Sequence, residues 1–167
     1  SINSFKVLTE CPLIVMLLFQ LYPKYIKPNI YGLVQHMATT LLQSAPGVAT
    51  IEQRSRYRDL ISAQTKTLSF LTYIYLLKGY SELMKQYEKP MAESVISLLR
   101  YCLPEQVSTR KELLVATRQI LATEFRKGFA PYFDVLMDEK LLLGSGKHAY
   151  MSLRPLAYNT IADLVNH

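Results

Sequence analysis

The stretch Leu153-Arg-Pro-Leu-Ala-Tyr-Asn-Thr-Ile-Ala-Asp-Leu-Val165 carries the clearest structural pattern in this chain. Its apolar residues recur every three or four positions, which is the spacing of one face of an α-helix. We expect Leu156 and Ile161 to be buried. Asn159 and Asp163 should face outward or towards a partner. The predicted apolar stripe consists of Leu153, Leu156, Ala157, Thr160, Ile161, Leu164 and Val165.

The same helical period recurs along the chain, and proline or glycine stands where helices should end. No segment alternates with period two for long enough to predict a sheet. The order Leu-Arg-x-x-Ala-x-x-x-Ile-x-x-Leu also resembles the second helix of a HEAT repeat, a unit that buries its apolar face by stacking on neighbours. The sequence therefore predicts an all-α fold, a HEAT-like helical solenoid of stacked antiparallel helix hairpins. Residues 1–167 should be a single segment of a longer solenoid, with hairpins at about 4–43, 56–103, 108–138 and 139–167, the last incomplete.

Composition narrows the class of protein. Half of the 167 residues are hydrophobic and 19% are charged, which disfavours disorder. The formal net charge of +6 is spread along the chain and favours acidic partners or nucleic acid. Cys11 and Cys102 both lie in apolar helical segments, where reduced core cysteines are expected. The longest apolar run, 12–19, is too short to cross a bilayer, so we predict no membrane association.

Local signals predict where several helices begin and end. Thr109 and Glu112 match a capping box, in which two side chains satisfy free backbone donors at a helix start. Arg126-Lys-Gly128 should end that helix, and a shorter helix should follow over 129–137. A polar loop is expected before a helix that starts near Tyr57.

No motif for catalysis or cofactor binding is complete. Gly144-Ser-Gly-Lys147 resembles part of a phosphate-binding loop, but the first glycine is replaced by Leu141 and the residue after the lysine is His148. The three histidines show no metal-ligand spacing. Asp138 and Glu139 are better explained as a helix end than as an acid–base pair. We therefore predict no enzyme activity, no cofactor and no metal.

Two groups of cations are candidate contact sites. Lys111 and Arg118 lie seven residues apart on one helical face, and Arg126 could extend this strip towards an acidic partner segment. In the predicted polar loop, arginines alternate with other residues and a tyrosine, a pattern that also suits phosphate contact. A merely solvated face is the alternative in both cases, and direct nucleic-acid binding is not favoured. The loop arginines are Arg54, Arg56 and Arg58.

Several long matches in the same order give the chain a family resemblance. They are Ser4-Phe-Lys-Val-Leu8, Ala63-Gln-Thr-Lys-Thr-Leu-Ser-Phe-Leu-Thr-Tyr73, Arg110-Lys-Glu-Leu-Leu114, Ile120-Leu-Ala-Thr-Glu-Phe-Arg126 and the stretch 153–165. With them the chain resembles the TRRAP family, giant pseudokinases related to the phosphatidylinositol-3-kinase-like kinases. The matches are similar to the family's amino-terminal HEAT region, distant from the kinase-like domain.

The resemblance implies a function. Members are nuclear coactivator scaffolds of SAGA-type and other histone acetyltransferase complexes, and they receive transcription activators. The expected partners are therefore activators, other subunits of these complexes and the rest of the solenoid. The alternative that the HEAT pattern alone allows is a karyopherin-like transport or adaptor protein.

Overall fold

The regular structure is helical in every part of the chain that the structure describes. The computed structural model describes residues 21, 24, 28, 30–41, 50–77, 79–144 and 149–166. Within these residues α-helices and two 3-10 segments occur, and no strand does. The all-α prediction is therefore confirmed.

Eight α-helices and two 3-10 segments are delimited in the described residues. The α-helices are α1 (Ile30–Thr40), α2 (Ile51–Leu76), α3 (Ser81–Met84), α4 (Glu88–Tyr101), α5 (Val107–Leu121), α6 (Phe133–Leu136), α7 (Glu139–Leu143) and α8 (Ala149–Asn166). The first 3-10 segment, Lys85–Tyr87, joins α3 to α4, and the second, Glu124–Tyr132, precedes α6.

The chain divides into two compact units, 1–84 and 85–167. The boundary falls inside the second predicted hairpin, 56–103. The hairpin limits stay a prediction, and most of the first hairpin, together with Cys11, lies outside the described residues.

In the first unit, α1 packs against α2 through apolar residues that recur at helical spacing. Ile30, Val34 and Met37 are all buried there. Helix α2 begins earlier than expected, because Thr50 and Gln53 form a capping box. The Thr50 hydroxyl accepts from the Gln53 backbone at 3.1 Å, and the Gln53 side chain accepts from the Thr50 backbone at 3.2 Å.

This cap corrects the predicted polar loop. Arg54, Arg56 and Arg58 lie on the first turns of α2 rather than in a loop. Proline and glycine at 46–47 favour a loop, and the sequence did not show where that loop ends. The Thr50 side chain caps a helix that begins before the arginines.

In the second unit, α4 and the second 3-10 segment pack together, and α5 packs beside α8. The first pair approaches closely at Gly128, where a β-carbon would lie 2.8 Å from the Glu88 carbonyl oxygen. In the second pair, Arg118 near the end of α5 donates to Asp163 near the end of α8. One face of α5 packs against other helices, and another face is exposed.

Two predicted signals at the ends of α5 are wrong. The helix begins at Val107 after Gln106, so Thr109 and Glu112 lie inside it and form no capping box. It ends at Leu121 rather than at 126–128, because Thr123 caps the second 3-10 segment by accepting from the Phe125 backbone at 3.2 Å. The helix expected over 129–137 is correspondingly shorter, since α-helical geometry starts only at Phe133.

The buried stripe of α8 is narrower than predicted. Leu156 and Ile161 are only half-buried, and Val165 is 63% exposed. Asn159 is exposed, as expected. Spacings of four, three and four residues follow the central line of the predicted face, and this is the line that packing buries. The buried residues of this line are Leu153, Ala157, Thr160 and Leu164.

Candidate partner-binding surface

The inner side of α5 is built around a buried arginine that the sequence did not reveal. Arg110 is 3% exposed, although its neighbour Lys111 is exposed. Its guanidinium donates to the carbonyl oxygens of Leu99 at 3.0 Å, Cys102 at 3.1 Å and Leu141 at 2.7 Å. Arg110 therefore joins α5 to the carboxyl-terminal end of α4 and to α7. Positive charge at a helix end with free carbonyls is favourable.

Burial shifts the pKa of Arg110 and of the neighbouring thiol of Cys102. Desolvation raises the pKa of the Cys102 thiol, and the nearby charge of Arg110 opposes that rise while Glu105 adds to it. Desolvation also lowers the pKa of Arg110, against the effect of Cys102. The thiol is free and buried, and it donates towards the Leu103 and Gln106 carbonyls. The prediction of a reduced core cysteine is consistent with this environment for Cys102.

The outer side of α5 presents polar and apolar groups to solvent. Lys111 and Gln119 are exposed, and Val115 between them is 41% exposed. These positions follow one another at intervals of four, so they form one stripe along the helix. The opposite face is buried. Its buried residues are Leu113, Ala116, Thr117, Ile120 and Leu121.

Arg118 borders this stripe and connects α5 to α8. Its Nε lies 2.7 Å from Asp163 Oδ2, in an ion pair whose side chains are 37% and 27% exposed. The sequence placed Lys111 and Arg118 on one helical face, and the structure keeps them near each other on α5. Asp163, expected to face outward or towards a partner, is instead half-buried and bound within the same unit.

A groove lies between α5 and α8 beside this ion pair, and we call it the α5–α8 groove. Its volume is about 360 Å³, at the lower end of the roughly 300–1,000 Å³ typical of ligand pockets. Three small or apolar side chains line it together with three polar ones. The lining residues are Val115, Arg118, Gln119, Ala122, Leu156 and Asp163.

Arg126 does not extend the strip on α5, which corrects the sequence prediction. It lies in the second 3-10 segment, where it donates to the Leu164 carbonyl at 3.4 Å and so contacts the end of α8. It lines a separate groove of about 630 Å³, which also includes Glu124 and Lys127. Because α5 ends at Leu121, Arg126 does not lie on the helical face that carries Lys111 and Arg118.

The arginines of α2 form the other predicted contact site. All three are exposed on the first turns of the helix. Arg56 is paired with Glu52 one turn earlier, at 2.6 Å, in an exposed ion pair of the kind that stabilises helices only slightly. Arg54 and Arg58 are four residues apart and share one face of α2, whereas Arg56, two residues from each, points in a different direction.

The remaining candidate motifs fall partly outside the described residues. Gly144 ends α7 with φ +77°, whereas residues 145–148 are not described. Asp138 caps the start of α7, accepting from the Lys140 backbone at 2.9 Å. In the part of the chain that the structure covers, no cluster of three His, Cys, Asp or Glu side chains could hold a metal ion. No helix there is long and apolar enough to span a membrane.

Comparison with known proteins decides the family. The family model described as the Tra1 HEAT repeat central region matches residues 56–167, which contain Arg56, Arg58 and the α5–α8 groove. The chain belongs to this Tra1 family. The solenoid prediction is supported by the same match. The matching region is the central one, which corrects the amino-terminal position that the resemblance implied.

Curated relatives of this Tra1-family chain match it over nearly its whole length. It is 44% identical over 167 residues to the "Probable transcription-associated protein 1" of Dictyostelium discoideum. It is 43% identical over 171 residues to the human "Transformation/transcription domain-associated protein". It is 37% identical over 184 residues to the "SAGA complex/NuA4 acetyltransferase complex subunit Tra1" of Schizosaccharomyces pombe.

These alignments cover 100%, 98% and 99% of the chain, but 4%, 4% and 5% of the relatives. The chain therefore spans a small part of the length of the proteins it matches. No solved structure matches it significantly.

Proposed function

We propose that this chain is a non-catalytic scaffold segment of a transcription coactivator subunit in SAGA-type and related histone acetyltransferase complexes. It acts in the nucleus, where it supports complex assembly and receives activators. The observation that carries this proposal is the family match over 56–167, together with whole-chain similarity to a relative named as a subunit of the SAGA and NuA4 complexes. The match favours this role over karyopherin-like transport.

The architecture supports a role in binding rather than chemistry. In the second unit, helices pack through apolar residues and leave polar and apolar groups exposed along α5. Extended surfaces of this kind are what helical solenoids use to bind proteins. Lys111 and Arg118 are the proposed contacts for an acidic partner. The α2 arginines are a second proposed contact, through Arg54, Arg56 and Arg58.

A chimera tests the proposed function. The matching segment of the S. pombe relative is replaced by this chain, and the complexes are purified through a tag on the chimera. We expect the acetyltransferase subunits to co-purify, because the segment supplies the same stacked helices.

The matched control is a chimera that also carries Arg110→Met and Leu153→Asp, which disrupt the second unit. If this control assembles as fully as the intact chimera, the segment has no scaffold role. Saturable binding of a nuclear-transport GTPase by the chain, with no co-purifying acetyltransferase subunits, would favour the transport alternative instead.

A further inference from the structure

We draw no further inference here: the strongest candidate, the groove of about 630 Å³ between the second 3-10 segment and the end of α8, with Arg126, Lys127 and Phe133 in its lining, carries nothing because nothing in the structure shows what covers it.

Discussion

The two sides of helix α5 use cationic side chains in opposite ways. On the inner side, Arg110 is buried and donates to three backbone carbonyls. They belong to Leu99 in α4, to Cys102 directly after α4 and to Leu141 in α7. On the outer side, Lys111 is exposed and Arg118 is bound through one nitrogen to one carboxylate. The face of the helix, rather than the charge, thus decides whether a cation holds the fold together or is available to a partner.

Replacing the buried arginine should have the largest effect. Arg110→Met leaves three carbonyl groups without their donor, at about 1–3 kcal/mol each, so we expect a loss of roughly 3–9 kcal/mol of unfolding free energy. Lys111→Met, on the exposed side, should change it by under about 0.5 kcal/mol. Urea denaturation of the two variants gives the comparison. Similar losses for both would show that the inner and outer cations do not differ in role.

Two of the leucines of α8 test how far its buried stripe extends. Leu153 is fully buried and Leu156 is half-buried at the α5–α8 groove. Leu153→Ala should cost about 2–5 kcal/mol, as for a packed core leucine, and Leu156→Ala should cost distinctly less. Urea melts measured under the same conditions decide the order. A larger loss for Leu156→Ala would restore the broader stripe predicted from the sequence.

Gly144, directly after α7, tests the packing around Arg110 from the side of that helix. Its φ is +77°, and a β-carbon there would lie 2.9 Å from Arg110 Nε. Gly144→Ala should therefore cost about 1–3 kcal/mol through backbone strain and displacement of the guanidinium. Gly32→Ala is the control, since nothing lies within 4 Å of that position in α1, and it should stabilise the protein by up to about 1 kcal/mol. A shift of the melting temperature in the same direction for the Gly144→Ala and Gly32→Ala variants would contradict this account.

The outer ion pair should have the smallest effect on stability. Because Arg118 and Asp163 are partly exposed, Arg118→Gln should cost under about 1 kcal/mol, and the difference should shrink as salt is added. Urea melts at low and high salt measure it. A loss as large as that for Arg110→Met would place Arg118 among the residues that hold the fold, and its use in binding would then be untenable.

Much of the helical pattern could be predicted from apolar spacing. Ile30, Val34 and Met37 on α1 lie on the buried face that their intervals indicated, as do Leu113 and Ile120 on α5. The predicted helix boundaries were less accurate, because a cap depends on one or two side chains. Thr109 and Glu112 have the residue types of a capping box but lie inside α5, whereas Thr50 and Gln53 form one that was not anticipated.

The candidate surface was predictable only in part. A seven-residue interval is enough to place Lys111 and Arg118 on one face of α5. It does not show that Asp163 binds Arg118, since that residue is distant in the sequence and is brought close by the packing of α8. Arg126 was misplaced because the end of α5 at Leu121 was not recognised.

The sequence by itself determined the helical class, the apolar faces and the family, because periodicity and ordered residue matches are properties of the linear chain. Only the tertiary structure decided which cations are buried and which are exposed. Nothing in the sequence distinguishes Arg110 from Lys111 as a residue to be buried. Arg110 is buried because α4 and α7 place backbone carbonyls around its guanidinium. Helical spacing sets the direction of a side chain relative to its own helix, whereas its partners come from segments tens of residues away.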